Sequence, residues 1–338
     1  MVNNTVKKIV NGDVMTAAKL IRDIDDQVPE TREILKALHG YTGKAYIIGV
    51  TGAPGVGKST IVDQMVRDLR LNGKTVGVLA VDPTSPFSGG AILGDRIRMQ
   101  RHSLDKEVFI RSLATRGQFG GLTQSTLSAI DVLDAMGKEY IIVETVGVGQ
   151  GEVDIARCVH TTVIVVVPGL GDHVQAIKAG IFEVGDIFVV NKADRPEAER
   201  AVTYLRSMID LAKKEFKNEG WEPSIIMAEA LNNKGIIELL NEIEKHRRSK
   251  KVGDILVAGK RDSARIQLTE MIKRRLIEET LNRITGSPEF EKYLDCIMER
   301  TKDPYTACDE LLSAMVFGLS LDPCSAPNRT SNHPDEKD

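Results

Sequence analysis

The sequence has few of the residues that cross-link a chain or hold a metal ion. Its four cysteines (Cys158, Cys296, Cys308 and Cys324) are scattered and form no C-x-x-C pair, and its six histidines do not cluster with them. Reduced thiols are therefore expected rather than disulfides. The same scatter argues against a dedicated zinc site, because such a site needs several Cys or His ligands at close spacing.

A strong charge of one sign and a long apolar run are also missing. The formal net charge is -3, so the composition favours neither a nucleic-acid partner nor an anionic membrane surface. No apolar run approaches the roughly 20 residues that span a bilayer. Residues 1–13 carry neither a secretory apolar core nor an Arg/Ser-rich transit pattern. We therefore expect a cytoplasmic protein with no nucleic-acid partner and no membrane partner.

Glycine, by contrast, is concentrated in a stretch that follows the apolar run from Tyr46 to Val50. The stretch is Gly52-Ala53-Pro54-Gly55-Val56-Gly57-Lys58-Ser59-Thr60, and Ile61, Met65 and Leu69 follow it at helical spacing. A strand, a glycine loop and a helix in this order predict a P-loop whose backbone N–H groups bind phosphates. Lys58 is expected to reach the β- and γ-phosphates, and Ser59 to hold Mg²⁺. The nine loop residues are the predicted phosphate site.

Apolar strand-like segments alternate with helical segments between residues 45 and 247. Strands are predicted at 46–51, 75–81, 108–113, 140–145, 161–167, 186–191 and 223–228, and helices at 58–72, 122–136, 173–182, 196–217 and 234–246. Strands that are apolar throughout, such as Val163 to Val167, belong in a parallel sheet that is covered on both faces. The predicted fold is a doubly wound α/β domain with a mainly parallel sheet, whose carboxyl edge binds the nucleotide.

Helical periodicity also appears on both sides of this domain. We expect an N-terminal helical extension over 1–43, the P-loop domain over 44–250, a C-terminal helical arm over 251–321 and a disordered tail over 322–338. The basic run 245–251 is interpreted as a solvated helix end and linker. The arm carries an apolar stripe that must be buried somewhere, which makes it a candidate surface for a homodimer. The stripe consists of Leu268, Ile272, Leu276, Leu281 and Ile284.

A second motif, Asn191-Lys192-Ala193-Asp194, follows an apolar segment about 130 residues after the P-loop. Asp194 can accept hydrogen bonds from the ring N–H and the exocyclic amine of guanine, whereas adenine offers neither donor on that edge. Asn191 is expected to brace neighbouring loops, and the stem of Lys192 to cover the face of the base. The two motifs together predict a protein that binds GTP and GDP.

Acidic residues at two further strand ends are candidates for a metal and switch network. Glu144 lies at the end of the strand at 140–145 and is followed by Gly147, whose N–H can reach the γ-phosphate. Asp82 ends the second strand, and Asp95 follows in a glycine-rich segment, where a helix cap is its other interpretation. The predicted Mg²⁺ ligands are Ser59, Asp82, Asp95 and Glu144.

The residue that orients the attacking water is left open by the sequence. The position after Gly147 is Val148 rather than the glutamine of Ras-type GTPases, and Gln150 is close but displaced. We expect hydrolysis to be slow in the isolated protein and to be completed by another loop or by a partner. The candidate catalytic residues are Lys58, Asp95, Glu144 and Gln150.

Five stretches occur together in a distinctive order: the P-loop, Asp82 to Arg96, Glu144 to Gln150, Pro168 to Gly180, and Asn191 to Asp194. They closely resemble the MeaB/ArgK family, which includes the methylmalonic aciduria type A protein, over roughly residues 10–320. The resemblance implies a GTPase of the class that includes signal-recognition and metal-insertion GTPases. It also implies a homodimer, formed through helical extensions, that is a chaperone of an adenosylcobalamin-dependent acyl-CoA mutase. In that family GTP gates cofactor loading and protects the mutase from inactivation.

Two positions depart from that family without removing a phosphate ligand. Glu229-Ala230 stands where the family usually has Ser-Ala in the last base-contacting loop, and Gly151 stands where it usually has serine. A backbone contact from Ala230 to the guanine oxygen survives the first change, but a carboxylate beside that oxygen is expected to weaken binding. Glu229 and Ala230 both remain candidates for nucleotide binding.

Two other functions are compatible with a P-loop. A metal-insertion (nickel) GTPase has the same fold class but predicts a Cys/His cluster near the switch loops, where the sequence has only Cys158 and His160. A small-molecule kinase, the label given to some relatives, predicts a preference for ATP, against which Asn191 to Asp194 argue. The mutase chaperone is preferred, the metal-insertion GTPase comes second and the kinase third.

Overall fold

The computed structural model describes residues 2–82, 99–114, 124–145, 155–169, 184–215, 221–251 and 255–317. Asp95, Gly147, Gln150, the helix expected at 173–182 and the tail at 322–338 lie outside these ranges and stay predictions. The chain divides into two compact units, Met1–Leu256 and Val257–Asp338. Within the described ranges, every helix is too short or too polar to cross a bilayer. The cytoplasmic location also stays a prediction.

The first unit is built on a seven-stranded sheet whose described strand pairings are all parallel. Its strands are β1 (Tyr46–Thr51), β2 (Val76–Asp82), β3 (Val108–Ala114), β4 (Tyr140–Thr145), β5 (Thr161–Val166), β6 (Ile187–Asn191) and β7 (Ser224–Ala228). Their order across the sheet is β3-β2-β4-β1-β5-β6-β7. Each strand lies within one residue of its predicted bounds, and the predicted doubly wound α/β fold is confirmed.

Helices cover both faces of this sheet. Those described in the first unit are α1 (Val2–Val10), α2 (Val14–Asp25), α3 (Thr31–Leu38), α4 (Lys58–Leu71), α5 (Gln124–Ala135), α6 (Ala198–Glu215) and α7 (Ile236–Lys251). On one face, α4 and α7 pack against alternate residues of the strands, including Val163 and Val165 of β5. On the other face, α5 and the N-terminal helices cover β2, β3 and β4, and α6 covers Ile164 of β5 and Phe188 of β6. Burial on both faces explains why β5 is apolar almost throughout.

The pairing of β4 with β1 positions the site. Because the strands are parallel, their carboxyl ends meet at one edge of the sheet, where the loop after β1 is the P-loop. The register sets Val50 opposite Glu144, so this carboxylate lies beside the last residues before the glycine loop. On the other side of β4, Ala80 of β2 is opposite Glu144, and Asp82 ends β2 two residues further on.

Helix α1 belongs to the N-terminal helical extension that is predicted over 1–43. Its residues Val6 and Ile9 are buried in the same core as Leu133 of α5. The signal is present in the sequence, since Val2, Val6, Ile9 and Val10 follow helical spacing. Nine residues are too few for a stable isolated helix, so α1 depends on this packing.

The last turns of α7 pack on the amino edge of the sheet, so the interpretation of the basic run as a solvated helix end holds only in part: Lys245 and Arg248 are exposed, but two other residues of the run are not. His246 is fully buried, with its Nδ1 2.9 Å from Thr161 Oγ1 and its Nε2 3.2 Å from Asp186 Oδ1. The Arg247 guanidinium lies 4.8 Å from the centre of the Tyr46 ring, a cation–π contact. Burial raises the pKa of Tyr46 to about 12. These two basic residues therefore belong to the fold rather than to the solvated surface.

The C-terminal helices are α8 (Ile255–Thr285), α9 (Pro288–Met298) and α10 (Pro304–Phe317). In the second unit, Tyr293 of α9 packs on Ala307 and Leu311 of α10, and Ile284 at the end of α8 joins this small core. The other members of the predicted α8 stripe are exposed in this single chain, each between 50% and 60%. Those members are Leu268, Ile272, Leu276 and Leu281.

Candidate nucleotide site

A cavity of about 570 Å³ opens at the carboxyl edge of the sheet. Its volume lies in the range of roughly 300–1,000 Å³ that is typical of small-molecule sites. Five segments far apart in the sequence converge on it: the P-loop, the end of β2, the end of β4, the segment after β6 and the turn after β7. The lining residues are Pro54, Gly55, Gly57, Lys58, Ser59, Thr60, Val81, Glu144, Thr145, Asn191, Lys192, Asp194, Glu229, Ala230, Leu231 and Asn232.

The P-loop conformation requires glycine at two positions. Gly52 has a φ of +141°, and a Cβ there would lie 2.1 Å from the carbonyl oxygen of Val165. Gly57 has a φ of +96°, and a Cβ there would lie 2.4 Å from Asn191 Nδ2. Any larger residue would therefore be strained in its backbone and would clash with β5 or β6. Gly52, Ala53 and Val56 form the frame of the loop, while the other loop residues line the cavity.

Lys58 is the first residue of α4, and its side chain is turned back over the loop. Its ammonium donates hydrogen bonds to the carbonyl oxygens of Gly52 at 2.7 Å and Ala53 at 3.1 Å. The residue is only 7% exposed although it carries a charge. Buried cations are stable only when they are paired or hydrogen-bonded, and the two carbonyls satisfy part of that need. The cavity therefore contains a fixed positive charge beside the start of a helix.

Ser59 and Glu144 meet on the floor of the cavity. The Ser59 hydroxyl donates a hydrogen bond of 2.7 Å to Glu144 Oε1, and both residues are buried. Mg²⁺ prefers oxygen ligands such as hydroxyl and carboxylate groups, so the chemistry of this pair fits the predicted metal. Asp82 ends β2 on the neighbouring strand, but its side chain and all of Asp95 lie outside the described part of the chain.

The predicted guanine motif begins at the end of β6. The buried side chain of Asn191 donates from Nδ2 to the carbonyl oxygen of Val56 at 2.8 Å, and its Oδ1 accepts from the N–H of Ala230 at 3.2 Å. Lys192 has a left-handed φ of +58°, and its Nζ donates to the carbonyl oxygen of Gly55 at 3.1 Å. Asn191 thus connects the P-loop with the turn after β7, and Lys192 crosses the cavity rim.

The turn after β7 closes on itself. The backbone of Glu229 pairs with that of Lys234, and the Lys234 ammonium lies 3.0 Å from Glu229 Oε2. Asn232 Nδ2 donates to the same oxygen at 3.1 Å. The hydrogen bonds from these two partners lower the pKa of Glu229 below its usual value, and Lys234 has the larger effect. The carboxylate is therefore already engaged by a cation at the wall of the cavity.

Some lining residues escape the sequence analysis. Val81, Leu231 and Asn232 line the cavity, and Lys234 contacts a lining residue, yet none belongs to a recognised motif; Thr145 lies within the stretch Glu144 to Gln150 but received no predicted role. Val81 and Thr145 are identifiable afterwards as neighbours of Asp82 and Glu144. Leu231 is apolar but 85% exposed. An exposed apolar side chain is a sign of a binding site, and its exposure is known only from the structure.

A parallel sheet, a P-loop on its central strand and a guanine motif at the same edge together define a P-loop GTPase. A family profile described as "Methylmalonyl Co-A mutase-associated GTPase MeaB" matches residues 17–285. The chain belongs to the MeaB family, as its motifs predicted, and it is a GTPase that binds guanine nucleotides.

Relatives and a solved structure agree with this assignment. A Pyrococcus abyssi protein named as a GTPase is 44% identical over 321 residues, which are 94% of this chain and 98% of that protein. GTPase ArgK of Escherichia coli is 31% identical over 318 residues, 91% of this chain and 94% of that protein. The crystal structure of a LAO/AO transport system kinase is 26% identical with a TM-score of 0.67, covering 93% of this chain and 97% of its own.

Proposed function

We propose that the cavity binds GTP with the phosphates over the P-loop and the base against Asp194. The observation that carries the proposal is the position of Asn191, whose side chain bonds Val56 in the P-loop and Ala230 in the turn after β7. One buried amide thereby holds the phosphate loop and the base loop in a fixed relation. On nucleotide binding, Lys58 exchanges its two loop carbonyls for phosphate oxygens, which are stronger acceptors for an ammonium.

We assign the metal role to Ser59, Asp82, Asp95 and Glu144. Bound Mg²⁺ would neutralise negative charge on the phosphate oxygens during hydrolysis. The short bond from Ser59 to Glu144 fixes the hydroxyl proton on the carboxylate side, which leaves the lone pairs of the serine oxygen for the metal. In this proposal Gly147 contacts the γ-phosphate, and Gln150 or a partner's residue orients the attacking water.

The proposed client is an adenosylcobalamin-dependent acyl-CoA mutase of the methylmalonyl-CoA type. The family description, which names a mutase-associated GTPase, supports this choice. The GTPase would be a chaperone that couples its nucleotide state to assembly, loading or protection of the mutase. A partner of this kind also accounts for Val148 at the position where other GTPases carry a glutamine.

We further propose that the protein is a homodimer that covers the α8 stripe. Four apolar side chains at helical spacing, Leu268, Ile272, Leu276 and Leu281, are at least half exposed in the single chain. A second copy of the same helix offers a matching apolar surface. Leu276→Glu should convert a dimer to a monomer in analytical ultracentrifugation, whereas the control Glu279→Gln, at an exposed position on the same helix, should not.

The test of the chaperone role is the GTPase rate of the protein alone and with purified methylmalonyl-CoA mutase from the same source. A large acceleration on mixing is the expected result, because the partner supplies what Val148 lacks. An unchanged rate, in a preparation that binds GTP, would contradict this client. Other cobalamin mutases would then be tested in the same assay.

A small-molecule kinase, ranked last by the sequence, is also tested, because the solved relative carries that name. A kinase would transfer the terminal phosphate to an acceptor and would prefer ATP, whereas the proposed GTPase releases inorganic phosphate from GTP. Measuring phosphate release from both nucleotides separates the two functions. Nickel insertion remains the other alternative, and a nickel-enzyme client in the same mixing assay tests it.

A further inference from the structure

The turn between β7 and α7 carries an ion pair at the wall of the nucleotide cavity. Glu229 lines the cavity, and its side chain is 21% exposed. Its Oε2 is held by two donors, the Lys234 ammonium at 3.0 Å and Asn232 Nδ2 at 3.1 Å. Lys234 does not itself line the cavity and is 67% exposed, so it approaches the carboxylate from the solvent side.

The backbone keeps these partners together. The Glu229 N–H donates to the Lys234 carbonyl at 3.1 Å, and the Lys234 N–H donates back at 3.2 Å. Asn233 between them has a left-handed φ of +55°, and Gly235 has a φ of +77°. A Cβ on Gly235 would lie 2.2 Å from the carbonyl oxygen of Met227, so the turn is closed tightly against β7. The ion pair is therefore built into the turn rather than formed by two loose side chains.

A carboxylate at this wall matters for the choice of base. Ala230 follows Glu229 directly, and the proposed site directs the guanine carbonyl oxygen at purine position 6 towards this turn. An unpaired carboxylate repels that oxygen, because both groups are hydrogen-bond acceptors. A purine with an amino group at position 6 offers a donor instead and would be attracted. The state of Glu229 thus decides which group is tolerated at that position.

We propose that Lys234 is a positioning residue that sets base selectivity at purine position 6 by holding the Glu229 carboxylate away from the base. The proposal rests on the proposed guanine site. It also explains how this chain retains guanine binding although a glutamate occupies a wall position. Lys234 neutralises the acid, and Asn232 fixes its orientation.

The test compares the affinity of purified full-length variants for GDP and for the diphosphate of 2,6-diaminopurine riboside. The analogue has an amino group at position 6 and also changes the ring nitrogen that faces Asp194, but this second change is common to all variants. Lys234→Ala removes the cation, Lys234→Arg preserves it, and Glu229→Gln combined with Lys234→Ala removes both charges. Lys245→Ala is the matched control, since Lys245 is also 67% exposed and pairs with a glutamate, Glu242, at 2.7 Å outside the cavity.

The expected result is a change in the ratio of the two affinities. Lys234→Ala should weaken GDP binding by about two- to five-fold, the size expected for one exposed charged partner at a cavity rim. Its affinity for the diaminopurine nucleotide should stay equal or rise. Lys234→Arg and the double variant should both return the ratio to the wild-type value, and Lys245→Ala should leave it unchanged.

Two results would overturn the inference while leaving the nucleotide site intact. If Lys234→Ala, like Lys245→Ala, binds each nucleotide with the wild-type affinity, the ion pair has no influence on the choice of base. If Lys234→Ala loses affinity for both nucleotides by the same factor, Lys234 supports the turn but not selectivity. A wild-type protein that binds neither nucleotide would instead refute the proposed function, and this inference with it.

Discussion

The polar side chains at the two edges of the sheet differ in what they contact. At the carboxyl edge, Lys58, Ser59 and Asp194 line an open cavity. At the amino edge, Tyr46 and His246 are buried in contacts with other protein groups. The same parallel strands thus end in a binding site on one side and in a structural joint on the other.

The amino edge forms a chain of contacts that includes no cavity lining residue. The Tyr46 hydroxyl lies 2.6 Å from Thr161 Oγ1, which lies 2.9 Å from His246 Nδ1. The Trp221 ring packs on His246 with ring centres 4.7 Å apart, and its Nε1 donates to the carbonyl oxygen of Asp186. Buried polar groups that satisfy each other specify one arrangement of α7 on the sheet.

The difference teaches how to separate stability from function in this fold. Substitutions at the amino edge should change the free energy of unfolding and leave nucleotide affinity alone. Substitutions at the carboxyl edge should do the reverse, because the polar groups there contribute most when a ligand is bound.

Lys58→Ala should abolish measurable GTP binding. Two charged hydrogen bonds to phosphate, each contributing about 1.5 kcal/mol or more, correspond to a loss of at least roughly 100-fold. The measurement is the dissociation constant of a fluorescent GTP analogue. Lys74→Ala is the control, because Lys74 is exposed and pairs with Glu139 at 2.9 Å, just before β2 at the amino edge. Equal affinities in the two variants would contradict the P-loop assignment.

His246→Ala should destabilise the protein by about 3 kcal/mol, as expected when a large, fully buried side chain is removed from packed surroundings. Thr161 also loses one of its two buried partners, while the Tyr46 hydroxyl remains. The measurement is urea unfolding, with Arg248→Ala on the exposed side of the same helix turn as the control. The dissociation constant for GDP, measured well below the unfolding midpoint, should not change. A large loss of GDP affinity in the folded variant would contradict the claim that the amino edge affects stability alone.

Asp194→Asn should reduce the preference for GDP over ADP by roughly ten- to 100-fold, since one charged acceptor of two hydrogen bonds is lost. The asparagine amide can accept only one of the two guanine donors and presents its own N–H₂ to the other. Competition binding with both nucleotides measures the effect, and exposed Asp309→Asn is the control. Unchanged discrimination between the nucleotides would count against the base assignment. The melting temperature of the free protein should stay within a degree or two.

Asp131 on α5 belongs to neither edge and provides a reference for burial alone. Burial raises the pKa of Asp131 to about 6, from the value of 3.8 that is usual for an aspartate in water. The folded state therefore holds a proton that the unfolded chain releases, so stability falls as the pH rises from about 4 to about 6 and is then constant. Two pKa units correspond to a loss of up to about 3 kcal/mol.

Asp131→Asn should accordingly be more stable than the wild type above pH 6, by about 1 to 3 kcal/mol, and should have a flatter pH profile. Urea unfolding at pH 5 and pH 7.5 measures both quantities. Asp134→Asn is the contrasting variant, because Asp134 accepts hydrogen bonds from the N–H groups of Gly43 and Ala45 and its loss should destabilise. If the unfolding free energy of Asp131→Asn depends on pH as it does in the wild type, other groups cause the pH dependence.

Much of the fold follows from local patterns. Each described strand matches its prediction within one residue, because an unbroken β-branched run between turns has few alternatives to a buried parallel strand. The P-loop was equally predictable, since its glycines are required by the positive φ at Gly52 and Gly57. Helix α1 falls within the predicted N-terminal extension, but its bounds did not follow from the sequence, because a nine-residue helix is stabilised by partners distant in sequence, such as Leu133.

The candidate site was predictable as a set of motifs but not as a geometry. The sequence places Asn191 at a strand end, but it does not reveal that this side chain bonds both Val56 and Ala230. The sequence predicts that the Glu229 carboxylate weakens guanine binding. It does not reveal the ion pair between Glu229 and Lys234, which forms only in the folded turn. The basic run 245–251 looks solvated in the sequence, although His246 is buried beneath Trp221.

The parallel sheet, the phosphate loop and the guanine motif are all recognisable in the sequence, because periodicity and glycine positions act through local conformation. The tertiary structure decided which polar residues face the cavity and which are buried at the opposite edge. It also decided that Glu229 is held by a cation. The physical reason is that strand register, helix packing and turn conformation fix distances between residues far apart in the chain, and electrostatic interactions depend on those distances.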